Sequence, residues 1–125
     1  MKVTGIKRRP ETATEEQKQN ATEILGNDHF EKLVGEADFI VGVLPKVKDT
    51  NDFFNKESTF SKMKSSAVFM SIGRGTTVNE EDLVEALKNN TIGGAVLDVY
   101  KKEPLVAESG LWECENCLMT PHCAD

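Results

Sequence analysis

The sequence predicts an α/β fold, a doubly wound parallel sheet, and three observations carry that prediction. Near-continuous apolar runs of strand length recur at "DFIVGVLP", "AVFMSI" and "IGGAVLDV", and such runs suit strands covered on both faces. Segments with helical spacing separate them, and the first two runs stop abruptly at Pro45 and Gly73. Strand, helix, strand repeated in this order builds a parallel sheet with helices on both faces.

Taken in order, "MKVTGIKRRP" reads as a strand that turns basic and leaves a sheet at a proline. Glu11 to Glu23 is polar with few apolar anchors, which predicts an exposed helix or loop. The amphipathic "DHFEKLVGEA" leads into the "DFIVGVLP" strand, and after the polar turn "KVKDTND" Phe60 and Met63 in "KESTFSKMK" are spaced to share a helical face. The "AVFMSI" strand then ends in Gly73, Arg74 and Gly75. Asn79 makes an N-cap, and Glu80, Glu81 and Asp82 fill the first helical turn, where carboxylates meet free N–H groups and the positive end of the helix dipole. Leu83, Ala86 and Leu87 form that helix's buried face; "IGGAVLDV" and "CLMTPH" supply the last strands.

The 125 residues suit a single domain, and 15 Lys plus Arg against 21 Asp plus Glu give a net charge of -6. That balance argues against nucleic acid or an anionic membrane surface as a partner. No apolar stretch approaches the roughly 20 residues of a membrane span and no signal peptide is recognisable, so a cytoplasmic protein is expected. The odd, clustered cysteines Cys114, Cys117 and Cys123 do not resemble a secreted disulfide framework.

In parallel sheets ligands bind beyond the carboxyl ends of the strands. Residues just past each run are therefore the candidates: Lys7, Arg8 and Arg9; Pro45; Gly73, Arg74 and Gly75; Asp98 and Glu103; His122. A planar guanidinium grips a carboxylate through two parallel hydrogen bonds, which makes Arg74 a candidate for holding an acid substrate, with flanking glycines allowing close approach. A histidine backed by a carboxylate has a fixed tautomer and a raised pKa, suited to proton exchange with a hydroxyl or carbonyl oxygen, and Glu103 with His122 would make such a pair. Each residue also has a plainer reading: Arg74 as a turn residue, His122 as a surface histidine, Glu103 as an exposed acid.

The order of motifs adds to this. The RG turn, the VxExxLxxAL-like helix, the G-A-x-L-D-V strand, E-P-L and T-P-H follow one another as in the NAD-binding domain of the D-isomer-specific 2-hydroxyacid dehydrogenases, which this sequence resembles from Asp38 to Asp125 and, more weakly, from Met1 to Ala37. The resemblance implies a Rossmann-type sheet and reduction of a small 2-oxo acid, of the glyoxylate or hydroxypyruvate kind, by a nicotinamide cofactor. It implies that Arg74 binds the substrate carboxylate and carbonyl, that His122 is the general acid/base and that Glu103 pairs with it. Asp98 would sit by the nicotinamide amide, with Ile72, Gly73 and Pro45 lining the cofactor. At the end of the first strand an acid accepts hydrogen bonds from a ribose 2'-hydroxyl, whereas arginines accommodate a 2'-phosphate; Arg8 and Arg9 stand there with no acid before Glu11, favouring NADP(H) over NAD(H). An exposed basic strand end without a ligand is the alternative for this pair. Homodimers are a further expectation from the family.

The sequence departs from that pattern. The GxGxxG phosphate turn with its strand, and the substrate-binding domain, are not found in these residues, so residues 1–125 are expected to be a partial dinucleotide-binding domain. The absent first strand would lie between the strand containing Val3 and the one containing Ile40, leaving a gap in the sheet and weak or no activity for the chain alone. Ser71 stands where the family often has asparagine. Two rival readings are a cofactor-binding sensor without turnover, and a zinc module through Cys114, Cys117, His122 and Cys123.

Overall fold

The computed structural model describes residues 1–124, and the chain divides into two compact units, Met1–Leu33 and Val34–Asp125. In the first unit, β1 (Thr4–Ile6) pairs in parallel with β2 (Glu23–Leu25), Gly5 opposite Ile24. Between them lie a 3-10 turn at Pro10–Thr12 and α1 (Glu15–Asn20), which buries no residue, as the polar composition predicts. A capping box starts α1: the Thr14 hydroxyl accepts from Gln17 N, and the Gln17 side chain accepts from Thr14 N at 3.1 Å. Lys7 is spent locally, its Nζ donating to Thr12 O and Gln17 Oε1. The three-residue β2 is too short to show a period in the sequence, which is why Glu23 reads as the end of a polar segment. α2 (Phe30–Glu36) follows, with Val34 buried.

The second unit is built on a four-stranded parallel sheet in the order β3 (Phe39–Gly42), β4 (Val68–Ser71), β5 (Gly94–Leu97), β6 (Cys117–Met119). Its register sets Val41, Met70, Val96 and Leu118 in one row and Ile40, Phe69, Ala95 and Cys117 in the next. One face carries the core. Phe69 is fully buried, its ring 5.1 Å from Phe54 and 5.3 Å from Phe60, and α3 (Glu80–Lys88) adds the buried face of Leu83, Ala86 and Leu87. The Asn79 side chain caps α3 by accepting from Asp82 N at 3.1 Å. The acidic first turn also ties neighbouring loops, since Asp82 accepts from Lys56 N at 2.8 Å and Glu80 from Lys101 N.

The parallel order agrees with the predicted sheet, and β3 lies at its edge, with Phe39 60% and Val41 51% exposed. The predicted "KESTFSKMK" helix is absent, its place taken by a 3-10 turn at Phe60–Lys62 that still buries Phe60 and Met63. The cause is side-chain competition for the backbone: Asn55 Oδ1 accepts from Ser58 N, Ser58 Oγ accepts from Asn55 N, and the same hydroxyl donates to Phe53 O at 2.6 Å.

Candidate active site

The carboxyl ends of β4, β5 and β6 bring Arg74, Asp98, Glu103 and His122 together. Arg74 follows β4 in extended conformation and opens a 3-10 turn, Gly75–Thr77, whose Thr77 hydroxyl donates to Arg74 O at 2.7 Å. Its guanidinium is exposed, donates to Gly73 O at 2.8 Å and makes no ion pair among the described residues, so its remaining donors are free for an anion.

The flanking glycines also meet the protein's own backbone. A Cβ on Gly75 would lie 1.9 Å from the Tyr100 carbonyl carbon, and one on Gly73 2.8 Å from that of Val43. On the side a Cβ would take, glycine at 75 lets the Arg74 turn pack against the segment after β5, and glycine at 73 lets it pack against the segment after β3.

That segment holds the acid–histidine pair. Glu103 Oε1 accepts from Tyr100 N at 3.0 Å, and Oε2 lies 2.7 Å from His122 Nδ1. The hydrogen bond to Glu103 raises the His122 pKa above the ordinary histidine value, and the same bond lowers that of Glu103. With Nδ1–H facing the carboxylate, Nε2 is left outward to exchange a proton. The Arg74 charge acts on His122 in the opposite sense, lowering its pKa, which places both within one electrostatic neighbourhood.

Asp98 is buried, 3% exposed, and its oxygens accept from the Thr120 hydroxyl and from the amides of Cys123 and Ala124, each amide at 2.9 Å. The Thr120 hydroxyl bond, followed by the Cys123 amide, holds its carboxyl at a pKa of about 2. Tyr100, also buried, donates its hydroxyl to Thr120 O at 2.8 Å. Sequence reasoning missed Thr120 and Tyr100, because their partners stand about twenty residues away in the chain.

Pro45 and Ile72 lie exposed past the ends of β3 and β4, where Ile72 N donates to Gly42 O and Pro45 O accepts from the Thr50 hydroxyl. Ser71 Oγ is buried and has no hydrogen-bond partner among the described residues. Arg8 and Arg9 belong to the first unit, exposed beyond β1 with no ion pair among the described residues.

The zinc arrangement is not assembled: among the described residues no group of three or more His, Cys, Asp or Glu side chains is placed to hold a metal ion. His122 Nδ1 is committed to Glu103, Cys114 Sγ is turned to Gly110 O, and burial pushes the Cys117 thiol up to about 11, against the thiolate a metal needs. No helix is long and apolar enough to cross a membrane among the described residues.

Comparison with known proteins places this geometry in a family. The model of the D-isomer specific 2-hydroxyacid dehydrogenase NAD binding domain matches residues 1–124. Glyoxylate/hydroxypyruvate reductase B of Klebsiella pneumoniae is 42% identical over 93 residues, covering 74% of this chain and 28% of that protein. A D-isomer specific 2-hydroxyacid dehydrogenase family protein from Aeromonas salmonicida superposes with a TM-score of 0.87 at 35% identity, covering 98% of this chain and 37% of the other. An NADPH-dependent glyoxylate/hydroxypyruvate reductase from Sinorhizobium meliloti, solved with NADP and sulfate, gives 0.83 at 35% identity over 98% of this chain and 38% of that one. The chain thus spans about a third of the length of its relatives. It belongs to the D-isomer specific 2-hydroxyacid dehydrogenases, within their NAD-binding domain.

Proposed function

We propose that this chain carries the proton-transfer and carboxylate-binding groups of an NADPH-dependent reductase of small 2-oxo acids, glyoxylate or hydroxypyruvate in kind. The observation that carries the reading is the Glu103–His122 pair at 2.7 Å, in the electrostatic neighbourhood of the Arg74 guanidinium, which has no ion pair among the described residues.

The chemistry of each unit suits a phosphorylated nicotinamide dinucleotide. In the first unit Arg8 and Arg9 offer guanidinium groups with no ion pair among the described residues, at a strand end that would carry an acid were a 2'-hydroxyl to be bound. In the second unit Val43 and Ile72 leave apolar surface open past β3 and β4, where Pro45 and Gly73 also lie. NADPH is therefore favoured over NADH. When bound, it supplies the hydride for the substrate's carbonyl carbon.

This chain's own groups do the rest. Arg74 grips the substrate carboxylate and polarises the neighbouring carbonyl. His122 holds a proton on Nε2 and gives it to the oxygen as negative charge builds there; Glu103 fixes the ring's tautomer and steadies the imidazolium before transfer. In the reverse direction the neutral ring takes the proton from a 2-hydroxy acid.

Residues 1–125 are proposed as part of the dinucleotide-binding domain, with the phosphate turn and the substrate-binding domain outside this stretch, so that alone it turns over weakly or not at all. Homodimers and a cytoplasmic site of action complete the proposal, the latter supported by three free cysteines. The test replaces the matching stretch of the Aeromonas salmonicida relative with residues 1–124. NADPH oxidation on adding glyoxylate or hydroxypyruvate supports the reading, whereas a folded chimera that binds NADPH without turnover favours a sensor. Steady NADPH oxidation by the 125-residue chain alone overturns the part on incompleteness.

A further inference from the structure

We propose that Asp98 and Thr120 are positioning residues for His122: the Asp98 carboxylate gathers the Thr120 hydroxyl and the amides of Cys123 and Ala124, pinning the turn on both sides of the histidine and holding its ring against Glu103. That the ring so held transfers a proton to a 2-oxo acid rests on the reductase reading; the clamp itself does not.

His122 has φ 57°, in the left-handed region that a residue with a side chain enters only when its surroundings impose it. The imposing groups are visible. Thr120 stands two residues before it, and its N–H donates to Leu97 O at 2.9 Å, extending the β5–β6 ladder. Cys123 and Ala124 follow it, and both amides turn back to the carboxylate at 2.9 Å. Oδ1 takes the hydroxyl and one amide, Oδ2 the other, so the short backbone between the two anchors is bent through residue 122. The carboxylate is almost fully buried. An anion placed there without donors would be costly, and these three donors supply what water would otherwise give.

The family resemblance puts Asp98 beside the nicotinamide amide; its carboxylate in addition serves the 120–124 turn through three donors. Three groups set the charge felt by His122: Glu103 and Asp98 from the segment after β5, and Arg74 from the turn after β4. No hydrogen bond joins Thr120 to the His122 ring among the described residues, so its effect on the titration of His122 is transmitted through the turn.

The test is nuclear magnetic resonance on the 125-residue chain, comparing the parent with Thr120→Val and Thr120→Ser. The chain has two histidines, and His29, in the other unit, is the internal control. Thr120→Val is expected to move the His122 pKa down toward the ordinary histidine value, leave His29 unchanged and speed exchange of the Cys123 and Ala124 amides roughly tenfold. Thr120→Ser restores all three. If His122 titrates in Thr120→Val as in the parent, with both amides equally protected, the clamp is refuted. The parent alone gives a second readout, independent of whether the variant folds: Cys123 and Ala124 amides exchanging as fast as an exposed turn amide contradict the clamp. Since no turnover is measured, a failed reductase assay leaves this result standing, and a failed clamp leaves the reductase reading standing.

Discussion

Replacing Gly75 with alanine tests how the Arg74 turn is held. The new Cβ would lie 1.9 Å from the Tyr100 carbonyl carbon, 2.0 Å from its oxygen and 2.5 Å from its Cα. Carbon atoms settle at about 3.5 to 4.0 Å, so two backbone segments must separate by about 1.6 to 2.1 Å. Neither segment is free to yield. Tyr100 is buried, its N–H is bonded to Glu103 and its hydroxyl to Thr120, while the Gly75 turn closes through Thr77 onto Arg74. Overpacking costs about 1 to 3 kcal/mol where side chains can rearrange; with backbone on both sides, Gly75→Ala is expected at about 3 kcal/mol or above. Gly35→Ala is the control, because its Cβ meets only Lys62 O at 3.6 Å and it lies within α2, where alanine gains about 0.5 to 1 kcal/mol. Both substitutions restrict the unfolded chain alike, so their difference of about 3 to 4 kcal/mol isolates the contact with Tyr100. Urea unfolding followed by circular dichroism reads it as a midpoint lowered by about 1 to 3 M for Gly75→Ala. A Gly75→Ala protein within about 1 kcal/mol of the parent would show that the turn and Tyr100 are not pressed together as described.

Other expectations follow from the same structure. Asn79→Ala removes the α3 cap and should lower unfolding free energy by about 1 kcal/mol, restored by Asn79→Asp. The bond to Glu103 raises the His122 pKa, so the stability it lends is full below the ordinary histidine value of about 6.5 and is lost as pH climbs through the raised one. The reductive rate of an active chimera should fall over that same rise, and Glu103→Gln should move the fall to lower pH; an unmoved profile would show that the pair does not govern the proton. Replacing Arg8 and Arg9 together with alanine should weaken NADPH binding at least tenfold while sparing NADH, read by fluorescence titration.

Much of this was legible in the residues. Asn79 before three acids and a Leu83, Ala86, Leu87 face announced α3, and "AVFMSI" announced β4, because capping and burial are local patterns. The Phe60 segment misled because i, i+3 spacing serves a 3-10 turn as well as a helix, and the Asn55–Ser58 exchange that decides between them is a side-chain event. Arg74, Glu103 and His122 could be picked out as chemistry-bearing residues at strand ends, whereas the partners of Asp98 could not: a carboxylate reads the same whether it faces a ligand or an amide past the end of the neighbouring strand. The glycines around Arg74 suggested room for a ligand, and only the structure shows that Gly75 also meets the Tyr100 backbone and Gly73 that of Val43.

Proton donation by His122 and the carboxylate grip of Arg74 are what the proposed reaction stands on. Steady-state NADPH oxidation with hydroxypyruvate, in the chimera bearing residues 1–124 and in its His122→Gln and Arg74→Met variants, puts both to the test. His122→Gln is expected to lower kcat about 100-fold or more with KM little changed, and Arg74→Met to raise KM. A His122→Gln chimera that turned over as fast as its parent would rule the histidine out as the proton donor.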